Sequence, residues 1–415
     1  MATVVLLGTL DTKGIEYDYL RARVEAAGPD VIMVDAGVLE EPKARPEIAR
    51  REVAAAAGAD LDALVAAADR GAAVETMARG AAAVVTRLHA EGRLDGILGL
   101  GGSGGSSIVT HAMRALPVGV PKLMVSTLAS GDTRPYVGTS DIAMMYSVVD
   151  IAGINRISEK ILSNAAAAIA GMAAASAAFR PTPGTKPLVG ATMFGVTTPC
   201  VTVAREWLEA RGYEVLVFHA TGTGGRSMEA LMKDGFITAS LDITTTELAD
   251  ELVGGVLSAG PDRLEMAGSL AIPQVVSLGA LDMVNFGPME TVPERFRGRN
   301  LYKHNPTVTL MRTTPDECAE LGRILARKLN AAAGPLTVFI PLRGVSAIDV
   351  EGAPFRDAAA DAALFGELRA GLRPGLELVE LDMEINDPRF GTAMAEKLDA
   401  QYGAWAAARA PGGGQ

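Results

Sequence analysis

This chain of 415 residues contains few cysteines and few aromatic residues, and it has no excess of positive charge. The two cysteines, Cys200 and Cys318, lie far apart, which excludes a disulfide framework and is typical of a reducing compartment. The formal net charge of −11 lacks the basic field that generic binding to nucleic acid or anionic membranes requires. A phosphate ligand is not excluded, because a local pocket of backbone N–H groups can hold an anion whatever the overall charge.

Segments suited to membrane insertion are also lacking. The apolar run near the N-terminus is short and no basic residue precedes it, so we expect no signal sequence. Residues 161–179 contain no charge but consist mostly of alanine, whose transfer into lipid is weakly favourable. We therefore interpret this segment as a buried or subunit-interface helix and expect a cytoplasmic protein without membrane contact.

What the chain has in quantity is small apolar residues. Apolar residues make up 49% of the chain and glycine occurs 46 times, which is typical of helices packed closely on parallel sheets. In the first half, helical periodicity alternates with short apolar runs, as in strands buried on both faces. The predicted strands are residues 3–8, 31–35, 96–100 and 122–126. The predicted helices are residues 17–27, 74–88, 107–115 and 161–179.

A proline-rich segment at 180–187 interrupts this pattern, and the same alternation then starts again. The further predicted strands are residues 188–193, 214–219, 239–244, 274–279 and 336–341. The further predicted helices are residues 199–211, 228–233, 248–253 and 316–330. We predict an α/β protein of two tandem Rossmann-like, doubly wound domains with mostly parallel sheets. Their bounds are 1–180 for a nucleotide-binding domain, 181–187 for a linker, 188–410 for the second domain and 411–415 for a flexible tail.

Five of the seven residues from Gly99 to Gly105 are glycines, placed between a predicted strand and a predicted helix. Glycine tolerates positive φ and lets backbone N–H groups approach an anion, and a helix start adds unpaired N–H donors. Ser103, Ser106 and Ser107 add hydroxyl groups. The segment therefore predicts a phosphate-binding turn, with a tight turn that holds no ligand as the alternative.

Known motifs match this segment only in part. The spacing G-x-G-x-x-G is present, but Ser126 and Thr127 stand where a dinucleotide site expects an acidic residue. The Lys-Ser or Lys-Thr pair of a Walker loop is absent. Residues 101–105 also fit the G-x-S-x-G nucleophile elbow, so a serine hydrolase using Ser103 with Asp282 and His304 is a minor alternative, although no HGGG-type segment precedes it.

Other polar loops follow predicted strands of the first domain, and loops at strand carboxyl ends share one edge of a parallel sheet. We predict that Lys13 opposes phosphate charge there and that Asp11 or Asp141 holds Mg²⁺ or a ribose hydroxyl, with helix caps and turns as the alternative role of these loops. The residues predicted to bind the nucleotide are Gly8, Thr9, Asp11, Thr12, Lys13, Gly101, Gly102, Ser103, Gly104, Gly105, Ser106, Ser126, Thr127, Ser130 and Gly131.

The second domain carries its own polar loops. Candidate catalytic residues, for an acid/base or metal cluster, are His219, Asp242, Asp282 and His304. Arg226, within a second glycine-rich segment, suggests a second anion such as a substrate carboxylate or phosphate. The alternative is that the histidines are merely hydrogen-bonded and that the threonines cap helices.

Several longer stretches resemble a known family. They are GTLDTKG, GLGGSGGSS, VSTLASGDTRPYVGTSD, SVVDIAGINRIS, ATMFGVTTPCV, VFHATGTGGRSME, LDITTTELAD, SLGALDMVNFGP and LMRTT. Together they resemble the ATP-binding domain family of tomato mosaic virus resistance proteins, over nearly the whole chain. The resemblance implies two Rossmann-like subdomains, a homodimer, and ATP bound near residues 8–13, 101–106 and 126–131. The plant members carry an additional C-terminal barrel domain, which we do not expect in this chain, so their virus-binding role is not carried over.

Two functions of different classes follow. One is an ATP-dependent enzyme acting on a small acidic or phosphorylated metabolite, held in a cleft that Arg226, Asp242 and Asp282 face. The other is a non-catalytic, dimeric binding or regulatory module that a nucleotide stabilises. The residues alone do not decide between them.

Overall fold

The computed structural model describes residues 2–180 and 186–409. The chain divides into two compact units, Met1–Thr182 and Pro183–Gln415. The predicted tail, 411–415, and residues 181–185 of the predicted linker lie outside the described residues.

The first unit is built on a five-stranded, fully parallel sheet with the order β2-β1-β3-β4-β5. Its strands are β1 (Thr3–Gly8), β2 (Asp30–Asp35), β3 (Gly96–Gly101), β4 (Lys122–Ser126) and β5 (Ala143–Tyr146). Its helices are α1 (Leu10–Ala26), α2 (Arg50–Ala56), α3 (Leu61–Ala67), α4 (Arg70–Ala90), α5 (Ser103–Arg114), α6 (Arg134–Val137) and α7 (Arg156–Ala178).

Successive side chains of β1 explain why helices cover both faces of this sheet. Val4 and Leu6 pack in a core with residues of α1 and α7, whereas Val5 and Leu7 pack in another core with residues of α4 and α5. An apolar run in a strand, rather than alternation, is what such two-sided burial requires. The doubly wound α/β architecture predicted from the sequence is confirmed.

Helix α7 alone among the described residues is long and apolar enough to cross a membrane, judged by length and composition. Core helices of globular proteins pass the same test. Asn155 caps its start with a capping box, and Leu162, Ala165 and Ile169 are buried in the core against the sheet. The apolar face of α7 is therefore used for packing within the first unit.

The second unit combines a six-stranded parallel sheet, ordered β14-β13-β9-β8-β6-β7, with a three-stranded antiparallel sheet, ordered β10-β12-β11. Its strands are β6 (Leu188–Met193), β7 (Glu214–His219), β8 (Ala239–Thr244), β9 (Gln274–Gly279), β10 (Met283–Phe286), β11 (Leu301–Asn305), β12 (Val308–Arg312), β13 (Leu336–Pro341) and β14 (Glu377–Leu381). Its helices are α8 (Thr198–Glu209), α9 (Thr223–Lys233), α10 (Glu247–Val253), α11 (Met266–Ser269), α12 (Pro315–Asn330), α13 (Ala358–Gly371) and α14 (Pro388–Arg409).

The two parallel sheets share one topology. In each, the first strand of the unit lies between the second and the third, and later strands are added beyond the third. The antiparallel sheet is inserted between β9 and α12 of the second unit, and the sequence did not predict it. Its strand β11 is mostly exposed and polar, so it lacks the apolar run that identified the buried strands.

Candidate functional site

The first unit contains a cavity of about 740 Å³ at the carboxyl ends of β1 and β3. The loop after β2 and the first turns of α1 and α5 line it, together with residues of α3 and α4. The chain leaves β1 toward β2 on one side and returns to β3 on the other, so this is the point where the winding direction of the sheet reverses. Ligands of doubly wound folds bind at such a point, and the volume is typical of a small-molecule site.

Tyr17 bridges the ends of β1 and β3 at this point. Its hydroxyl donates to the carbonyl of Leu7 at 2.5 Å and accepts the N–H of Leu100 at 2.8 Å. A Cβ at Gly8 would lie 2.0 Å from that hydroxyl, which explains the glycine at the end of β1. Tyr17 thus pairs backbone groups that the diverging strands leave unmatched, and burial raises its pKa.

The glycine-rich segment is partly helical, whereas the sequence placed the start of the helix at residue 107. Helix α5 begins at Ser103, so Gly104 and Gly105 belong to its first turn. None of the five glycines has positive φ, which corrects the expected reason for them. Close packing explains two of them: a Cβ at Gly99 would lie 2.4 Å from Val109, and one at Gly101 would lie 2.9 Å from Gly105.

Helix α5 nevertheless points its N-terminus at the cavity, since Gly101 to Gly105 all line it. The residue before the helix, Gly102, offers no side chain to cap it. The first N–H groups of a helix have no partner within the helix, and they lie at its partly positive end. These donors are therefore available to an anion in the cavity.

Arg70 is a cavity residue that the sequence analysis missed. It is the first residue of α4, and its guanidinium Nη2 lies 3.8 Å from the position that a Cβ of Gly104 would occupy. Across the described ranges its side chain forms neither an ion pair nor a hydrogen bond. Asp69 caps α4 by accepting the N–H of Ala72, and this N-cap signal could have placed the helix start at Arg70.

Thr9 and the first turn of α1 bring predicted residues to the cavity, which Thr9, Asp11, Thr12 and Lys13 line, whereas Gly8 does not. The Thr9 and Thr12 hydroxyls lie 2.9 Å apart, and the Lys13 ammonium donates to the carbonyl of Ile151. A cation and two hydroxyls thus stand beside the cavity with bonds to other protein groups.

Asp35, at the end of β2, is another residue near the cavity that was not predicted from the sequence. One of its oxygens accepts the N–H of Leu10 at 3.1 Å and that of Gly37 at 2.9 Å, while the other is buried without a partner. Burial, reinforced by the charge of Asp11, raises the pKa of Asp35. Asp35 therefore caps α1, which is why that helix begins at Leu10 and not at residue 17 as predicted.

The other predicted ligand residues of the first unit do not line the cavity. Ser106 and Ser126 are fully buried and their hydroxyls bond to each other at 2.8 Å. The N–H of Thr127 donates to Gly101 at 3.3 Å, and Ser130 and Gly131 lie in an exposed turn. These residues join the loop after β4 to the start of α5, and so they position the helix N-terminus.

The acidic residues expected to hold Mg²⁺ do not fit that ion. Asp11 is only 1% exposed, and its two oxygens accept the N–H groups of Thr12 and Leu39. Asp141 pairs at 2.6 Å with Lys122, the first residue of β4, and thus lies at the opposite edge of the sheet. Within residues 2–180 and 186–409, no group of three His, Cys, Asp or Glu side chains is arranged to hold a metal.

In the second unit, the anion expected beside the second glycine-rich segment is the protein's own Glu247. One carboxylate oxygen accepts the N–H of Gly222 at 2.7 Å and that of Gly225 at 3.1 Å. The other accepts Nε of Arg263 at 2.6 Å. Arg226, the predicted anion ligand, instead donates to the backbone carbonyls of residues 258 and 259. Backbone N–H groups at the start of α9 are therefore already bonded to a carboxylate of the protein itself.

Arg263 is the centre of a buried ionic cluster. Its guanidinium is 0% exposed in the side chain and bonds to Asp242 at 2.5 and 2.8 Å, to Glu247, and to Glu229 at 3.5 Å. Burial raises the pKa of Glu229 to about 7 even though Arg263 opposes that shift. Three carboxylates around one cation leave an excess of negative charge, which a proton on Glu229 relieves.

The predicted catalytic residues of the second unit are not brought together. The carboxylate of Asp242 accepts hydrogen bonds from Arg263 and Thr192. His219, on the edge strand β7, packs against Phe194 with the two rings tilted by 52°. Asp282 is buried beside β10, whereas His304 is exposed on β11. Met283 pairs with Arg312, whereas the residues on either side of His304 pair with Thr309 and Val308, roughly 10–14 Å further along the sheet. Neither an acid/base cluster nor the Asp–His pair of a Ser103 hydrolase is formed by these residues.

Apolar side chains also fill the carboxyl edge of the parallel sheet in the second unit. They form a buried cluster of Phe194, Val196, Ala280, Met283, Leu310 and Phe355. Three of its members come from the loops after β6 and β9, and two from the inserted antiparallel sheet. Asp242 and Asp282 are buried and Arg226 bonds to backbone carbonyls, so these three side chains do not face a common cleft among the described residues of this unit.

Comparisons with known proteins agree with the division into two units. The model of the N-terminal domain of the uncharacterised protein family UPF0261 matches residues 2–178, and that of its C-terminal domain matches residues 186–402. A UPF0261 protein of Clostridium tetani is 57% identical over 95% of this chain and 98% of its own length. The tomato (Solanum lycopersicum) ToMV resistance protein Tm-1 is 46% identical over 79% of this chain and 44% of its own length.

Among solved structures, E. coli ADP-heptose lps heptosyltransferase II has 12% sequence identity and a TM-score of 0.20, with 98% of this chain and 100% of that chain covered. The sequence relatives and the two domain models, unlike this structural likeness, identify a family. They support a family that includes the tomato protein, without showing that ATP binding defines it. The chain belongs to the UPF0261 family.

Proposed function

We propose that the first unit is a nucleotide-binding module that holds ATP in the 740 Å³ cavity, with the phosphates between α5 and Arg70. One observation carries the proposal: the exposed Arg70, which has no ion-pair or hydrogen-bond partner among the described residues, lies beside the uncapped N-terminus of a 12-residue helix at the same cavity. A cation and free N–H donors together are what phosphate recognition uses.

The remainder of the cavity supports a ligand that is anionic at one end only. Helices α1 and α4 also begin at its rim, but Asp35 and Asp69 accept N–H groups at their starts, so of the three helices only α5 presents an uncapped N-terminus to the cavity. The wall on the side of α3 and α4 is apolar and suits the flat face of a base. Apolar and polar regions of this kind match the two ends of a nucleotide.

Binding without a dedicated protein metal site follows from the misfit of Asp11 and Asp141. Any Mg²⁺ that accompanies ATP would then be held by phosphates and water, as this ion commonly is. We propose a binding module, and we assign no reaction to it. Its placement in the cytoplasm and its assembly as a homodimer belong to the same proposal.

Arg70→Ala tests the proposal. We expect the dissociation constant for ATP, measured by isothermal titration calorimetry, to rise by roughly 10- to 100-fold, because a charge-assisted hydrogen bond contributes about 1.5–3 kcal/mol. Arg79→Ala is the matched control, since Arg79 lies on the same helix, pairs with Glu75 and does not line the cavity. Equal ATP affinity in both variants would contradict the proposed position of the phosphates.

A further inference from the structure

We infer that this cavity selects its ligand through the phosphates and not through the base or the sugar, so that its ligand class is the nucleoside triphosphates in general. The inference rests on the proposed function of the first unit. It concerns the parts of the cavity that lie away from Arg70 and α5.

The wall that would face a base has almost no hydrogen-bonding side chains. It is formed by Val38, Leu39, Leu64, Val65, Val74 and Met77. Leu39 and Val65 remain 71% and 48% exposed, so this apolar surface is not covered by the protein itself. A pocket that hydrogen-bonds a substrate group rejects an analogue strongly, whereas an apolar pocket discriminates weakly between ligands of similar shape.

The two acidic residues on this side already have partners. Glu40 lies 3.8 Å from the ammonium of Lys43, and Asp69 caps α4. Asp69 is tied to the start of α4, and exocyclic amino groups occur on adenine, guanine and cytosine alike, so a carboxylate at the rim would not by itself select one of these three bases. Discrimination between bases thus has no side chain to carry it.

The same argument applies to recognition of the sugar. Dinucleotide-binding folds read the ribose 2′-hydroxyl with an acid at the end of a strand, and Asp35 stands at the end of β2. Asp35, however, accepts backbone N–H groups at the start of α1 and does not line the cavity. Asp11 lines the cavity, but its two carboxylate oxygens already accept the backbone N–H groups of Thr12 and Leu39. A 2′-hydroxyl therefore finds no free carboxylate.

What remains for recognition is the charge of the phosphates. Arg70 and the N-terminus of α5 supply a cation and backbone donors without partners, and Lys13 adds a second cation at the rim. These groups contact no atom by which one nucleoside triphosphate differs from another.

Titration calorimetry with ATP, GTP, CTP and dATP tests the inference on the full chain. We expect the four dissociation constants to agree within about fivefold, and adenosine to bind at least about 50-fold more weakly than ATP. Arg70→Ala should weaken all four triphosphates by the same factor, whereas Arg79→Ala should change none. A preference of about 30-fold or more for one base, or for ATP over dATP, would overturn the inference while leaving nucleotide binding intact. Failure of every triphosphate to bind would overturn the proposed function as well.

Discussion

Gly225→Ala gives the sharpest test of the buried anion in the second unit. Gly225 lies in the first turn of α9, and a Cβ there would stand 2.2 Å from Oε2 of Glu247 and 2.5 Å from Nε of Arg263. Both contacts are far inside van der Waals distance and both involve fully buried groups. The added methyl therefore has to separate Glu247 from Arg263 or push α9 away from them.

The expected magnitude follows from two opposing effects. Alanine favours a helix over glycine by about 1 kcal/mol, and Gly225 has no positive φ that would penalise a side chain. Breaking a buried ion pair costs about 3–5 kcal/mol, because each charge loses its partner without regaining water. We expect Gly225→Ala to lower the free energy of unfolding by about 2–4 kcal/mol, which is roughly 4–16 °C in Tm for a unit of this size.

Gly366→Ala is the matched control in the same unit. Gly366 lies inside α13, and a Cβ there would meet nothing within 4 Å. The same substitution should stabilise the protein at this site by about 0.5–1 kcal/mol. Urea unfolding followed by circular dichroism, with the transition of the second unit fitted separately, measures both variants. If Gly225→Ala were as stable as the wild type while Gly366→Ala behaved as expected, the close approach of Glu247 and Arg263 to α9 would be refuted.

Two further predictions concern one residue of each unit. Burial raises the pKa of Glu229 to about 7, so the folded state keeps a proton that the unfolded state loses near 4.5, and stability falls as pH rises through that window. Glu229→Gln should remove this loss. The free energy of unfolding of the variant, relative to that of the wild type, should therefore rise between pH 5 and 7 by up to about 1.4 kcal/mol per pH unit. If urea titrations gave the same difference at every pH in this range, the raised pKa of Glu229 would be contradicted. Tyr17→Phe should cost about 1–3 kcal/mol in thermal unfolding, because the buried N–H of Leu100 and carbonyl of Leu7 lose their hydroxyl partner, and an unchanged Tm would count against that bridge.

Buried parallel strands were predictable because their sequences carry the signal themselves. The bounds predicted for the first and fourth strands, 3–8 and 122–126, are those of β1 and β4. Such strands are continuous apolar runs bounded by polar turns, and two-sided burial makes that pattern obligatory. The antiparallel insertion lacks it, since β11 is exposed and β10 has only four residues. Its position depends on packing over the edge of the parallel sheet, which no local pattern reports.

Helix starts were predicted too late where the cap is not local. The start of α1 is capped by Asp35, which lies 25 residues further along the chain. The first turn of α5 contains Gly104 and Gly105, residues that are poor helix formers and that suggested a loop. In both cases tertiary contacts decide the helix boundary, and the residues nearest the cavity are the ones affected. Arg70 was missed for a different reason: its helix was expected to begin at residue 74, although the neighbouring Asp69 is a local N-cap signal.

The candidate site depends on one difference between two sheets of the same topology. In each unit a helix follows the third strand, and its first residue is Ser103 in α5 but Glu247 in α10. A carboxylate at the first position of a helix neutralises the positive end to which an external anion would bind. Glu247 does more, since it also occupies the N–H groups at the start of α9. Ser103 carries no charge, so the corresponding helix end in the first unit stays available beside Arg70. Glycine content alone predicted an anion in both units, and the acid supplied by the neighbouring helix is what distinguishes an internal anion from an external one.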